Sequence, residues 1–175
     1  PSPPKPGRFK LAQQNKSFHP RILAIPVGST VDFPKLDPIF HNVFSLTRPA
    51  SFDLGLYRAG GSKSRVFAEP AIYRVFCNIH PQMTAVILVV PTPYITQREG
   101  PGTFQLDLPA GRYRITAWSE RAQAASMEVT VAEGAASAPE LALDESKYVE
   151  LAHKNKFGQN YPKSAYDPTK DAAPR

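Results

Sequence analysis

The sequence has one cysteine, one tryptophan and two methionines. A lone cysteine cannot form an internal disulfide, so cysteine usage does not fix the redox compartment. No run approaches the roughly 18–20 apolar residues that a membrane-spanning helix needs. The longest, Thr84 to Val90, suits a buried strand, so no transmembrane span is expected. The stretch AGGSK at 59–63 lacks the full spacing of a phosphate loop and reads as a β-turn. Asp32, Asp37 and Asp53 show no pairing that suggests acid–base work. The basic residues are scattered and no nucleic-acid motif accompanies them, so no nucleic-acid partner is expected.

What is present is a globular composition, 42% hydrophobic and 21% charged over 175 residues. Nineteen prolines and ten glycines interrupt short apolar runs, which favours strands and turns over long helices. The net charge of +6 is unevenly placed: residues 1–91 carry 11 Lys/Arg against 4 Asp/Glu, a net +7, and residues 92–175 carry 10 against 11, a net −1. Such a half steers acidic partners or is simply a solvated basic face.

Residues 1–8, PSPPKPGR, read as a proline-rich arm. An opening on proline rather than methionine is expected of a processed chain, and export is compatible with it. Strand candidates follow in FKLAQQ, in RILAIPVGSTVDF as two strands joined at Pro26 to Ser29, and in HNVFSLT and SFDLGLY. GGSKS reads as a turn, then RVFAEP, IYRVFC and TAVILVV as strands. About eight strands over 9–91 predict an antiparallel sandwich or barrel. PTPY at 91–94 marks a boundary. GTFQLDLPAGRYRITAWSE and SMEVTVAE then predict a small second β-module over 92–132, with Trp118 in its core. Residues 133–175 are expected to be a linker, one further strand in ELALDE, and an extended tail. Both termini are expected to dock on a larger assembly, because such segments fray unless held.

The chemistry concentrates in FCNIHPQM at 76–83. A copper electron-transfer centre takes a soft thiolate, two imidazoles and a weak axial thioether. Cys77, His80 and Met83 offer three of these from one loop, which Pro81 stiffens. The fourth donor must come from elsewhere, and His41 in DPIFHNVFS is the best candidate. His19 and His153 lie in polar segments and are assigned structural or surface roles. Taken singly, a cysteine, a histidine or a methionine is most often a plain core or surface residue. Together and in this order they favour metal. Structural zinc usually takes more cysteines and no methionine. A Cys–His nucleophile would need an oxyanion donor that is not evident here.

DPIFHNVFS and FCNIHPQM together resemble the cupredoxins, the small blue-copper proteins. The Cys-x2-His-x2-Met spacing is similar to that of amicyanin. VGSTVDF before His41 resembles the family's approach strand. The resemblance covers about residues 9–90. More closely, the chain resembles bacterial plastocyanin-like proteins of the methylamine-utilisation type. Those join a cupredoxin domain to a transthyretin-like or carboxypeptidase-regulatory-like module, which LPAGRYRITAWSE matches. HKNKFGQNYP at 153–162 resembles their C-terminal extension.

The resemblance implies an all-β fold: a cupredoxin Greek-key β-sandwich, then a small β-sandwich module and extended tails. It implies one type 1 copper per chain, with His41, Cys77 and His80 as equatorial ligands and Met83 as the weak axial one. Asn42 would tie the two ligand-bearing segments together. Phe40, Phe44 and Phe76 would form the apolar shell. Ala71 after Pro70 departs from the family's Pro-Gly. The implied role is single-electron transfer in the bacterial periplasm, with no substrate chemistry and so no enzyme activity. Partners would be a c-type cytochrome, a dehydrogenase or a membrane redox complex, with membrane association through a partner or an N-terminal anchor. The other reading is a structural or accessory subunit that uses the fold as a scaffold, with copper absent or incidental.

Overall fold

The computed structural model describes residues 4–98, 102–134, 139–149, 153–162 and 165. The expectations for residues 1–3, for most of the linker at 134–139 and for the end of the tail fall outside these. The chain divides into two compact units, one of residues 1–97 with 153–175 and one of residues 98–152. The secondary structure is all β.

The described residues of the first unit form ten strands: β1 (Arg8–Lys10), β2 (Ala12–Gln14), β3 (Ser17–His19), β4 (Ile22–Pro26), β5 (Ser29–Pro34), β6 (His41–Ser45), β7 (Phe52–Tyr57), β8 (Ser62–Phe67), β9 (Ala71–Phe76) and β10 (Thr84–Val90). One sheet has the order β1-β5-β8 and another β4-β10-β9-β6-β7, with β2 and β3 pairing as a hairpin. β1 runs parallel to β5 and β4 parallel to β10, so the chain crosses between sheets rather than meandering. Alternation explains which faces turn inward. In β5, Ser29, Val31 and Phe33 are buried while Thr30, Asp32 and Pro34 are half-buried. A single core joins both sheets, with Phe67 of β8 edge-on to Phe52 of β7 at 5.9 Å and to Tyr73 of β9 at 4.9 Å. The turn between β4 and β5 depends on Gly28. Its φ is +85°, and a Cβ there would lie 3.1 Å from Pro6 Cγ.

Several boundaries differ from the sequence reading. FKLAQQ divides at Leu11, which is fully buried between β1 and β2. β3 was not anticipated, and the serines and lysine of GGSKS belong to β8. Residue 8 of the expected arm already lies in β1, Gly7 N–H donates to Ser29 Oγ, and Arg8 grips Asp32 at 2.7 Å.

The second unit contains β11 (Gly111–Ser119) and β12 (Ala122–Val131), an antiparallel pair with a register shift between Ala117 and Ser119. TFQLDL and ELALDE are not strands. Trp118 is half-buried, and no described residue of this unit is fully buried. Among the described residues, this unit's strands are the single antiparallel pair β11–β12.

Candidate metal centre

β6 and β9 are antiparallel neighbours, with Phe44 opposite Phe76. This pairing sets the start of β6 beside the loop that follows β9. His41 opens β6, Cys77 follows β9 directly, and Met83 precedes β10. The loop folds on itself: Cys77 N–H donates to Met83 O at 3.2 Å, and Met83 N–H to His80 O at 2.9 Å.

His41, Cys77 and His80 converge as a buried cluster. His41 Nδ1 and His80 Nδ1 are 3.0 Å apart, and Cys77 Sγ lies 4.0 Å and 3.8 Å from them. Metal–nitrogen and metal–sulfur bonds run about 2.0–2.1 Å and 2.3 Å, so one ion can reach all three donors. A thiolate with two imidazoles is the donor set of a copper electron-transfer site. The cluster therefore suits one copper ion. Met83 is fully buried at the end of the same loop. His41, Cys77 and Met83 have no exposed surface, whereas His80 keeps 8%.

Asn42 links the two segments. Its Oδ1 accepts Asn78 N–H at 2.5 Å, and its Nδ2 donates to Asp53 Oδ1 at 3.2 Å. Phe44 is fully buried and packs on Phe76, ring centroids 5.8 Å apart. Phe40 is 61% exposed, with Lys35 Nζ 5.4 Å from its ring centre. It therefore faces solvent rather than enclosing the cluster as the sequence reading expected. Tyr57 pairs with His41 across β6 and β7. Burial pushes its phenol up to about 12, against a hydrogen bond from Gln13, so it stays neutral.

One neighbour of the cluster escaped the sequence reading. Asp37 is buried, and its Oδ2 lies 2.7 Å from His41 Nε2. Asn15 and Lys16 N–H groups donate to its two oxygens at 2.6 Å and 2.9 Å. Burial pushes this carboxyl up, but the Lys16 N–H, the His41 ring and the Asn15 N–H together hold it below the ordinary value. The local signal was an acid four residues before a histidine; its two amide donors lie more than twenty residues upstream. His153, assigned a structural or surface role, is half-buried against the loop. Its Nε2 reaches Pro81 O at 2.5 Å. Lys156 N–H donates to Asn78 Oδ1 at 3.0 Å, and Tyr161 OH to Cys77 O at 3.4 Å. His19 is exposed, as expected.

No family model and no curated protein matches the chain. Among solved structures, the chain is similar to a Cu-containing nitrite reductase from Thermus scotoductus SA-01, at 28% identity and a TM-score of 0.45. That match covers 50% of this chain and 23% of the reductase, so the chain spans about a quarter of that enzyme's length. It is also similar to amicyanin variants. One in the Cu(I) state matches at 20% identity and an oxidised one at 21%, each with a TM-score of 0.45, covering 47% of this chain and 81% of amicyanin. The first unit is all β, as the sequence resemblance implies, and it brings His41, Cys77 and His80 together.

Proposed function

We propose that this chain is a type 1 copper protein that passes single electrons and carries no substrate chemistry of its own. The observation that carries the reading is the buried triangle of His41 Nδ1, Cys77 Sγ and His80 Nδ1. Bound copper would supply a one-electron couple. The chain's own residues do the rest. Cys77 offers the thiolate, His41 and His80 offer imidazoles, and Met83 is the proposed weak axial donor. Burial of His41, Cys77 and Met83 excludes water. Asn42 holds the β6 segment to the loop, so the donors keep one arrangement through oxidation and reduction. Electrons leave by the edge of His80, the donor with surface remaining.

The proposed setting is the bacterial periplasm, with a c-type cytochrome, a dehydrogenase or a membrane redox complex as partner. No helix among the described residues is long and apolar enough to cross a membrane. The basic excess of residues 1–91 suits an acidic partner face.

The test is a visible absorption spectrum of the oxidised protein, with copper quantified on the same sample. A strong blue thiolate-to-copper band at one copper per chain, lost in Cys77→Ser, supports the reading. No band after copper loading and oxidation would sink it. The scaffold reading would then lead, supported by the added second unit and by the tail laid along the loop.

A further inference from the structure

Residues 153–161 belong to the first unit, and they grip the metal loop in both intervals between its donors. Asn78 lies between Cys77 and His80, and its Oδ1 accepts Lys156 N–H at 3.0 Å. Pro81 lies between His80 and Met83, and its O faces His153 Nε2 at 2.5 Å. The His153 ring covers Phe76, on the other side of Cys77, and Tyr161 OH reaches Cys77 O. The gripping segment is itself a built turn. Asn155 Oδ1 accepts the N–H groups of Phe157 and Gln159 at 2.9 Å and 3.0 Å. Gly158 turns with φ of +77°, and Lys154 pairs with Asn160. A turn shaped beforehand loses little freedom on docking.

Lys156 closes a ring of polar contacts. Its N–H holds Asn78 Oδ1 at one end. Asn78 N–H donates to Asn42 Oδ1 at 2.5 Å, and Asn42 Nδ2 donates to Asp53 Oδ1 at 3.2 Å. Asp53 Oδ2 then accepts Lys156 Nζ at 2.8 Å. Asn42 follows His41 and Asn78 follows Cys77, so the ring ties the two donor-bearing segments to each other and to the C-terminal segment. An open chain of hydrogen bonds lets its ends drift apart. A closed one holds its spacing until a bond breaks, and the closing bond here is charge-assisted.

We propose that residues 153–161 are a clamp on the metal loop, with Lys156 as a positioning residue, and that docking of the clamp and occupation of the His41–Cys77–His80 site favour each other. The coupling rests on the copper reading above; the clamp does not. If docking favours the arrangement that takes the ion, the ion favours docking by the same factor.

The test uses amide hydrogen exchange and copper competition on the full chain. In the metal-free double variant His153→Ala, Lys156→Met, the Asn78 amide should exchange about tenfold faster than in wild type, because the loop opens more often. An Asn78 amide that exchanges as in wild type would overturn the clamp. A purely structural role gives that result, with faster exchange confined to core amides such as Ile87 in β10. The variant's Cu(I) affinity, read by competition with a colorimetric chelator, should fall about tenfold. In the wild type, Cu(I) should slow exchange of the Lys156 amide by a comparable factor, a measurement that needs no variant. Unchanged affinity, or a Lys156 amide indifferent to copper, would overturn the coupling. A wild type that takes up no copper would sink the copper reading and the coupling with it, while the Asn78 amide still decides the clamp.

Discussion

The imidazole of His153 lies flat on the ring of Phe76, with centroids 4.0 Å apart and 17° between the planes. Phe76 is the residue before Cys77, so the C-terminal segment rests on the root of the metal loop. Tyr161 closes the stack edge-on at 5.3 Å from His153. Over residues 153–161 the C-terminal segment is therefore held on its own unit.

Replacing His153 with alanine removes the stack and the hydrogen bond to Pro81 O. A stacked pair contributes about 0.5–1.5 kcal/mol and a hydrogen bond about 1 kcal/mol. The expected loss is about 1–2 kcal/mol, read from denaturant midpoints of the metal-free protein. No loss would mean that the segment does not hold the loop in solution.

Met83 separates packing from ligation. Leucine is close to methionine in volume, so Met83→Leu should cost under about 1.5 kcal/mol. The axial donor tunes the potential of such sites. Losing the thioether should raise it while the blue band survives. A potential equal to wild type would remove Met83 from the ligand set and leave it a core residue.

Asp53 predicts an acid-side dependence of stability. Burial pushes its carboxyl up, but Lys156, the Gly55 N–H and the Asn42 amide pull harder, and the net position is below 3.8. A carboxyl depressed in the folded state stabilises above its unfolded value, and that contribution is lost as pH falls through the folded value. Stability should therefore drop from about pH 4 downwards. Asp53→Asn should flatten this slope and, by removing the Lys156 ion pair at 2.8 Å, loosen the tail. An identical slope in the variant would assign the acid sensitivity elsewhere.

Strand content was legible where alternation met a partner. IYRVFC and TAVILVV became β9 and β10 because each pairs along most of its length. TFQLDL alternates just as clearly but forms no strand, since a pattern states which face could be buried and not whether anything covers it. β3 was invisible for the converse reason. Three residues with one buried phenylalanine give too short a period to read, yet pairing with β2 forms it.

The sequence by itself determined the loop donors. Cys77, His80 and Met83 lie within one short turn, and local spacing fixes their order whatever surrounds them. It also singled out His41 by chemistry, as the histidine beside a strand signal. Only the tertiary structure decided that His41 meets Cys77 across 36 residues, through the antiparallel register of β6 and β9. It alone brought Asp37 and the Asn15–Lys16 turn behind His41, turned Phe40 outward and laid His153 on Phe76. Each of these is a contact between segments distant along the chain or a choice of which way a side chain faces. Register and packing set such contacts, because a shift of one residue in a strand turns every side chain to the opposite face.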